Sequence, residues 1–191
     1  MKFSKIYSVI LLFGFTLLAA QIPASSVWPL TANQSPVVTG NVSALDQQLS
    51  SMQVTYSSSV QRSSPTPTAG TWTAETGENA SRYLQFVVRP SGNNSLTVAT
   101  VSMNLYVNSG SGMRANVYFS KDSLFAVKTQ IGTTFTLTTS APGTPNVSAS
   151  PNVVVNSGER FFVRIYPWNI GATTGKYVIT NNVTVSGTTL S

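Results

Sequence analysis

Arginine and tyrosine recur on one parity of several extended stretches, and they hold most of the chain's potential chemistry. In 159–171 (ERFFVRIYPWNIG), Phe161, Val163 and Ile165 fall on one side of an extended chain, and Phe162, Arg164, Tyr166 and Trp168 on the other. In 113–119 the division repeats, with Met113, Ala115, Val117 and Phe119 against Arg114, Asn116 and Tyr118. In 101–108 the polar parity is Ser102, Asn104, Tyr106 and Asn108. An aromatic ring meets the C–H face of a sugar without needing charge. A guanidinium offers a planar fork of donors that suits a carboxylate, and an amide both donates to and accepts from hydroxyls. The candidate ligand-binding residues are therefore Arg114, Tyr118, Arg164, Tyr166, Trp168 and Tyr106, with Trp72 from a polar segment. An acidic polysaccharide is the ligand they suit. The competing reading is that Tyr and Arg only cover a sheet through cross-strand pairs. Arg164, Tyr166 and Trp168 are expected on the solvent side of their strand. Trp28 is expected to pack, and Trp72 suits surface and core equally.

Catalysis has little to work with. The chain has no histidine and no cysteine, which removes the commonest general base at neutral pH and all thiol chemistry. Serine and threonine are abundant, but nothing marks a base that would activate one. The five acids are Asp46, Glu75, Glu78, Asp122 and Glu159. Glu75 and Glu78 read as solvated residues, as a paired carboxylate set, or as ligands of a structural Ca²⁺ completed by backbone oxygens. No catalytic residue and no cofactor is assigned, and a structural calcium is the one metal the acids would suit. The expectation is a protein that is not an enzyme.

The chain has 191 residues, enough for one full domain. It opens with Lys2 and Lys5, then an apolar run from about Tyr7 to Ala20, then small residues. That order predicts a secretory signal peptide over 1–24, with cleavage after Ala20 or Ala24, and a single exported domain over 25–191. No second apolar span follows, so no stable membrane span is expected once the signal is removed. Net charge is +6, and without Lys2 and Lys5 nine cations face five acids. The excess favours anionic partners in general. The cations are scattered singly and the chain reads as exported, so nucleic acid is not expected.

Charged residues make up only 8% of the chain, while Ser, Thr and Asn are frequent, with 13 Gly and 10 Pro. Period-two alternation predicts strands at 53–57, 82–89, 96–107, 113–120, 133–138, 160–166 and 176–185, with weaker ones near 27–31 and 152–155. Gly- and Asn-bearing turns separate them at 90–94, 108–112, 142–143 and 156–158. The segment 58–79 has little periodicity and reads as a long surface loop. Eight or nine strands without helices predict an antiparallel β-sandwich, with a jelly-roll topology. The expected core is Leu84, Phe86, Met103, Leu105, Val117, Phe119, Val163 and Ile165. On the last strand Tyr177, Ile179, Val183 and Val185 are expected to share the apolar side, against Lys176, Val178, Thr180, Asn182 and Thr184.

Five runs carry a family likeness: 25–34 (SSVWPLTANQ), 80–86 (ASRYLQF), 108–120 (NSGSGMRANVYFS), 164–168 (RIYPW) and 175–187 (GKYVITNNVTVSG). Together they resemble a β-sandwich module of secreted bacterial pectate lyases and similar multidomain polysaccharide-degrading proteins. In such proteins the lyase sits on a separate parallel β-helix domain, often with a C-terminal sorting domain; neither is expected within these residues, as for a stand-alone relative or a truncated reading frame. The resemblance implies an ancillary module, secreted or at the cell surface, with a catalytic neighbour in related proteins. Two functions follow as expectations. One is a non-catalytic carbohydrate-binding or accessory module for acidic plant-type polysaccharide such as pectin. The other is a structural or adhesive extracellular sandwich with no glycan ligand. The first requires that the Arg/Tyr/Trp residues form one open patch.

Overall fold

The computed structural model describes residues 20–191. Most of the expected signal peptide, residues 1–19, lies outside the described residues. The fold begins at Ile22, and Ala24 is already buried within the first strand.

The described chain is all β. Its strands in order are β1 (Ile22–Trp28), β2 (Val37–Thr39), β3 (Val42–Ala44), β4 (Gln48–Ser50), β5 (Met52–Ser57), β6 (Val60–Pro65), β7 (Tyr83–Pro90), β8 (Ser95–Val107), β9 (Met113–Ser120), β10 (Thr129–Gln130), β11 (Phe135–Thr136), β12 (Val147–Ala149), β13 (Val153–Val155), β14 (Phe161–Asn169) and β15 (Val178–Leu190). Seven of these fifteen have only two or three residues, too few to leave a period-two signal, which is why alternation finds fewer. Among the described residues no helix is long and apolar enough to cross a membrane.

The strands form two antiparallel sheets. The first runs β12-β8-β15-β1-β2, with β13 also on β8 and the β5–β6 hairpin joined to β15. The second runs β10-β9-β14-β7-β3, with β11 on β9 and β4 on β7. Inward side chains of both sheets build one core containing Leu84, Phe86, Met103, Leu105, Val117, Val163 and Ile165, as parity predicts. Phe119 lies at its margin, half-buried and stacked on Phe161 with ring centres 5.5 Å apart. Trp28 is fully buried, edge-on to Phe86, and its indole N–H donates to Leu45 O.

Three expectations need correction. The segment 58–79 is not one long loop: Val60–Pro65 is a strand, joined to β5 by the turn Ser58-Ser59. Both turn residues have positive φ, 53° and 58°, the geometry of a tight hairpin that Asn-Gly usually signals. The strand itself is polar. Gln61 is fully buried and exchanges two amide hydrogen bonds with Gln47, at 2.9 and 2.6 Å. On β15, an irregularity between Asn181 and Thr184, with Asn182 at φ 52°, shifts the register. Val178 therefore joins Val183 and Val185 in the core, and Ile179, although buried, falls outside it. The third correction concerns the outer face of the second sheet, and it decides the site.

Candidate binding surfaces

Phe162, Arg164, Tyr166 and Trp168 do point away from the core, on the outer face of β14 as alternation requires, but they do not meet water. A second packed layer covers them. The β9–β10 loop folds back so that Phe125 packs with Phe162 and Val87. Its turn is held by Asp122, whose carboxylate accepts from the backbone N–H of Leu124 at 2.9 Å and of Ala126 at 2.8 Å. These bonds hold the Asp122 carboxyl below its ordinary value.

Arg164 is only 8% exposed. Its guanidinium lies between two rings, 4.0 Å from the centre of Tyr83 and 3.9 Å from that of Phe125. It donates to Gln85 Oε1 at 2.6 Å, Ser123 O at 2.7 Å and the Tyr166 hydroxyl at 3.2 Å. A buried arginine would be expected to need a carboxylate. Here amide, carbonyl and hydroxyl oxygens with two aromatic faces take that place. Tyr166 is buried against Tyr83 and Tyr118, and Trp168 is 5% exposed.

Tyr118 is half-buried. Its hydroxyl donates to Glu78 Oε2 at 3.0 Å, and burial with this neighbouring carboxylate pushes its pKa up to about 12. Tyr106 belongs to the other sheet, on β8, and is buried. Trp72 is fully buried in the main core. The seven residues therefore do not make one open patch. Three lie under loops, one is on the opposite sheet and one is in the core. Arg114 and Tyr118 are both half-buried.

The expected pair Glu75 and Glu78 is divided between separate partners. Glu75 accepts from Arg82 at 2.5 Å. Glu78 accepts from Asn116 Nδ2 at 2.6 Å and from Lys128 at 3.3 Å, besides Tyr118. Among the described residues no three acids converge.

An open cleft lies elsewhere, at the end of the sandwich where β14 finishes. Its walls are the β8–β9 turn, the chain around β11, and the loop from β14 to β15. It encloses about 620 Å³, the size of a small-molecule or oligosaccharide site. Arg114, Thr136, Thr138, Asn169, Thr173 and Lys176 face it, and no carboxylate lines it. Lys176 is 7% exposed, and its ammonium has one protein acceptor, Ser111 O at 2.5 Å. Asn169 is buried with Oδ1 unpartnered, while its amide N–H donates to Gly171 O.

The fold fixes these walls firmly. Gly112 has φ +91°, and a Cβ there would press to 3.2 Å on Asn169 Oδ1 and on Ile170 Cγ1. Trp72 stands behind the cleft. Its backbone exchanges hydrogen bonds with Thr173 at 2.9 and 3.0 Å, and its indole N–H donates to Lys176 O at 2.9 Å. Trp72 thus positions the residues that face the cleft and is not itself a stacking platform. Sequence reading selected Arg114 but missed Asn169 and Lys176. The signal available was two Gly-bearing turns, 108–112 and 171–175, the second leading directly into Lys176.

No protein-family model matches the chain, and no curated protein matches it.

Proposed function

We propose that this chain is a secreted, non-catalytic module that binds an acidic polysaccharide, and that the end cleft, not the aromatic stripe, is where it binds. The observation that carries this reading is Lys176. Most of this side chain is covered by the cleft wall; its ammonium has three N–H donors and a single protein acceptor, and no carboxylate lines the cleft. A ligand carboxylate would supply the missing charge, with Arg114 as a second donor. The threonines on the rim, Thr136, Thr138 and Thr173, suit the hydroxyls of a sugar. Carboxylate and hydroxyl on one unit is the chemistry of a uronic acid, which fits the pectin-type substrate implied by the resemblance. The strand order supports a jelly-roll topology, in which loops gather at the two ends of the sandwich. The reading needs no cofactor and places no reaction in the cleft.

Affinity electrophoresis of the protein in gels carrying polygalacturonate, with a neutral β-glucan as control, tests it. Retardation by the acidic polymer alone is expected, and equal mobility in both gels contradicts the proposal. A structural or adhesive role without a glycan is favoured by one observation: the aromatic stripe is consumed by packing. An unretarded wild type would select that role.

A further inference from the structure

At the pole opposite the cleft, two arginines face each other. Val88 pairs with Phe161 across β7 and β14, so the same register continued one step sets Arg160 opposite Arg89. On the other side of Arg89, Ser43 of β3 is its partner. The row Ser43, Arg89, Arg160 crosses the outer face of the second sheet, and all three line a notch of about 70 Å³ floored by Leu45 and Val87. Both arginines are exposed. Arg89 Nε donates to the Ser43 hydroxyl at 3.0 Å.

Like charges directly opposite on neighbouring strands are unfavourable, and neither arginine forms an ion pair. The ion pairs among the described residues are Arg82–Glu75, Lys121–Glu159 and Lys128–Glu78. Two acids are adjacent in sequence: Asp46, which follows Leu45, and Glu159, which precedes Arg160. Asp46 forms no ion pair, and Glu159 is held by Lys121 and by the Asn156 N–H. A paired-arginine row with a hydroxyl at one end, an apolar floor and no carboxylate has the composition of an oxyanion site.

We propose that this notch binds a single oxyanion head group, a sulfate, phosphate or carboxylate, between Arg89 and Arg160. Its volume is about the liquid volume of two waters, so it admits the head group and not a sugar ring bearing it. The site is separate from the cleft and does not depend on the function assigned there.

The test is thermal unfolding of the full chain in sodium sulfate against sodium chloride at matched ionic strength, for the wild type, Arg89→Gln and Arg160→Gln. A saturable rise of a few degrees in Tm with sulfate is expected for the wild type and not for either variant. In low salt each variant should melt no lower than the wild type, because relief of repulsion offsets the lost charge. Lys176→Met should keep the sulfate response, which separates this site from the cleft. Dextran sulfate, with dextran as control, distinguishes the two sources of the group. Binding on the order of tenfold tighter than inorganic sulfate, per sulfate, assigns a polymer-borne group, and equal affinity assigns a free anion. An equal response of all three proteins to sulfate, or variants that melt well below the wild type in low salt, overturns the proposal.

Discussion

Replacing Arg164 by Met keeps an aliphatic stem in the second layer and removes the guanidinium. Gln85 Oε1 then loses its donor inside a packed layer, and Ser123 O loses its donor at the layer's edge. An orphaned buried acceptor costs about 1–3 kcal/mol. The two ring contacts, to Tyr83 and Phe125, add about 0.5–2 kcal/mol each. Against these stands the relief of no longer burying a charge that forms no ion pair, with Asp122 as its nearby carboxylate. A net loss of about 3 kcal/mol follows, which for a domain of this size is a fall of roughly 6–12 °C in Tm. Because Ser123 O ties the β9–β10 loop to Arg164, amide exchange at residues 121–128 should accelerate more than the global unfolding rate explains. Arg164→Lys should recover only part of the loss, since an ammonium cannot lie flat between two rings. Calorimetry and hydrogen exchange measure both effects. A Tm within about 1 °C of wild type, with loss of glycan retention, would refute this reasoning and return Arg164 to a binding role.

Three further outcomes are expected. Gly187→Ala should be severely destabilising, because a Cβ there would lie 1.8 Å from Thr97 O at the β8–β15 bulge, and a denaturant midpoint equal to wild type would show that the bulge relaxes freely. Phe119→Ala should cost less than Phe86→Ala, which at a fully buried position is about 3–5 kcal/mol by urea unfolding; the reverse order would place Phe119 inside the core. Tyr118 should ionise well above the ordinary tyrosine range: its folded pKa is raised to about 12 from 10.0, so its contribution to stability is intact below pH 10 and declines as pH rises toward 12. Ultraviolet titration of wild type and Tyr118→Phe reads this directly, and a group lost near pH 10 contradicts it.

Inward parity alone identified the central core, because a half-buried strand must alternate and a shift of one residue would bury its polar side. It failed where the rule stops applying. On β15 the irregularity between Asn181 and Thr184 reverses parity midway, and no Gly or Pro marks the spot. On β6 the buried residues are glutamine and serine, satisfied by one another, so no apolar pattern exists to detect. On β14 alternation was read correctly, but the outer side was equated with water. What covers it is the β9–β10 loop and the chain around Glu75 and Glu78, contacts between segments distant in sequence. Arg164 illustrates the error well. Its burial does not require an ion-paired carboxylate: two rings and three neutral oxygens hold it. The cleft was harder to see, since Arg114, Asn169 and Lys176 converge only after three separate chain segments are brought to one end of the sandwich.

Isothermal titration of the full chain with oligogalacturonate, for wild type and Lys176→Met, tests the central claim most directly. The account predicts saturable binding to the wild type that weakens as salt screens it. It predicts a loss on the order of tenfold or more in Lys176→Met with Tm retained, since removing a buried charge without a carboxylate partner need not destabilise. Equal affinity in the two proteins, or no heat of binding from the wild type, would contradict it.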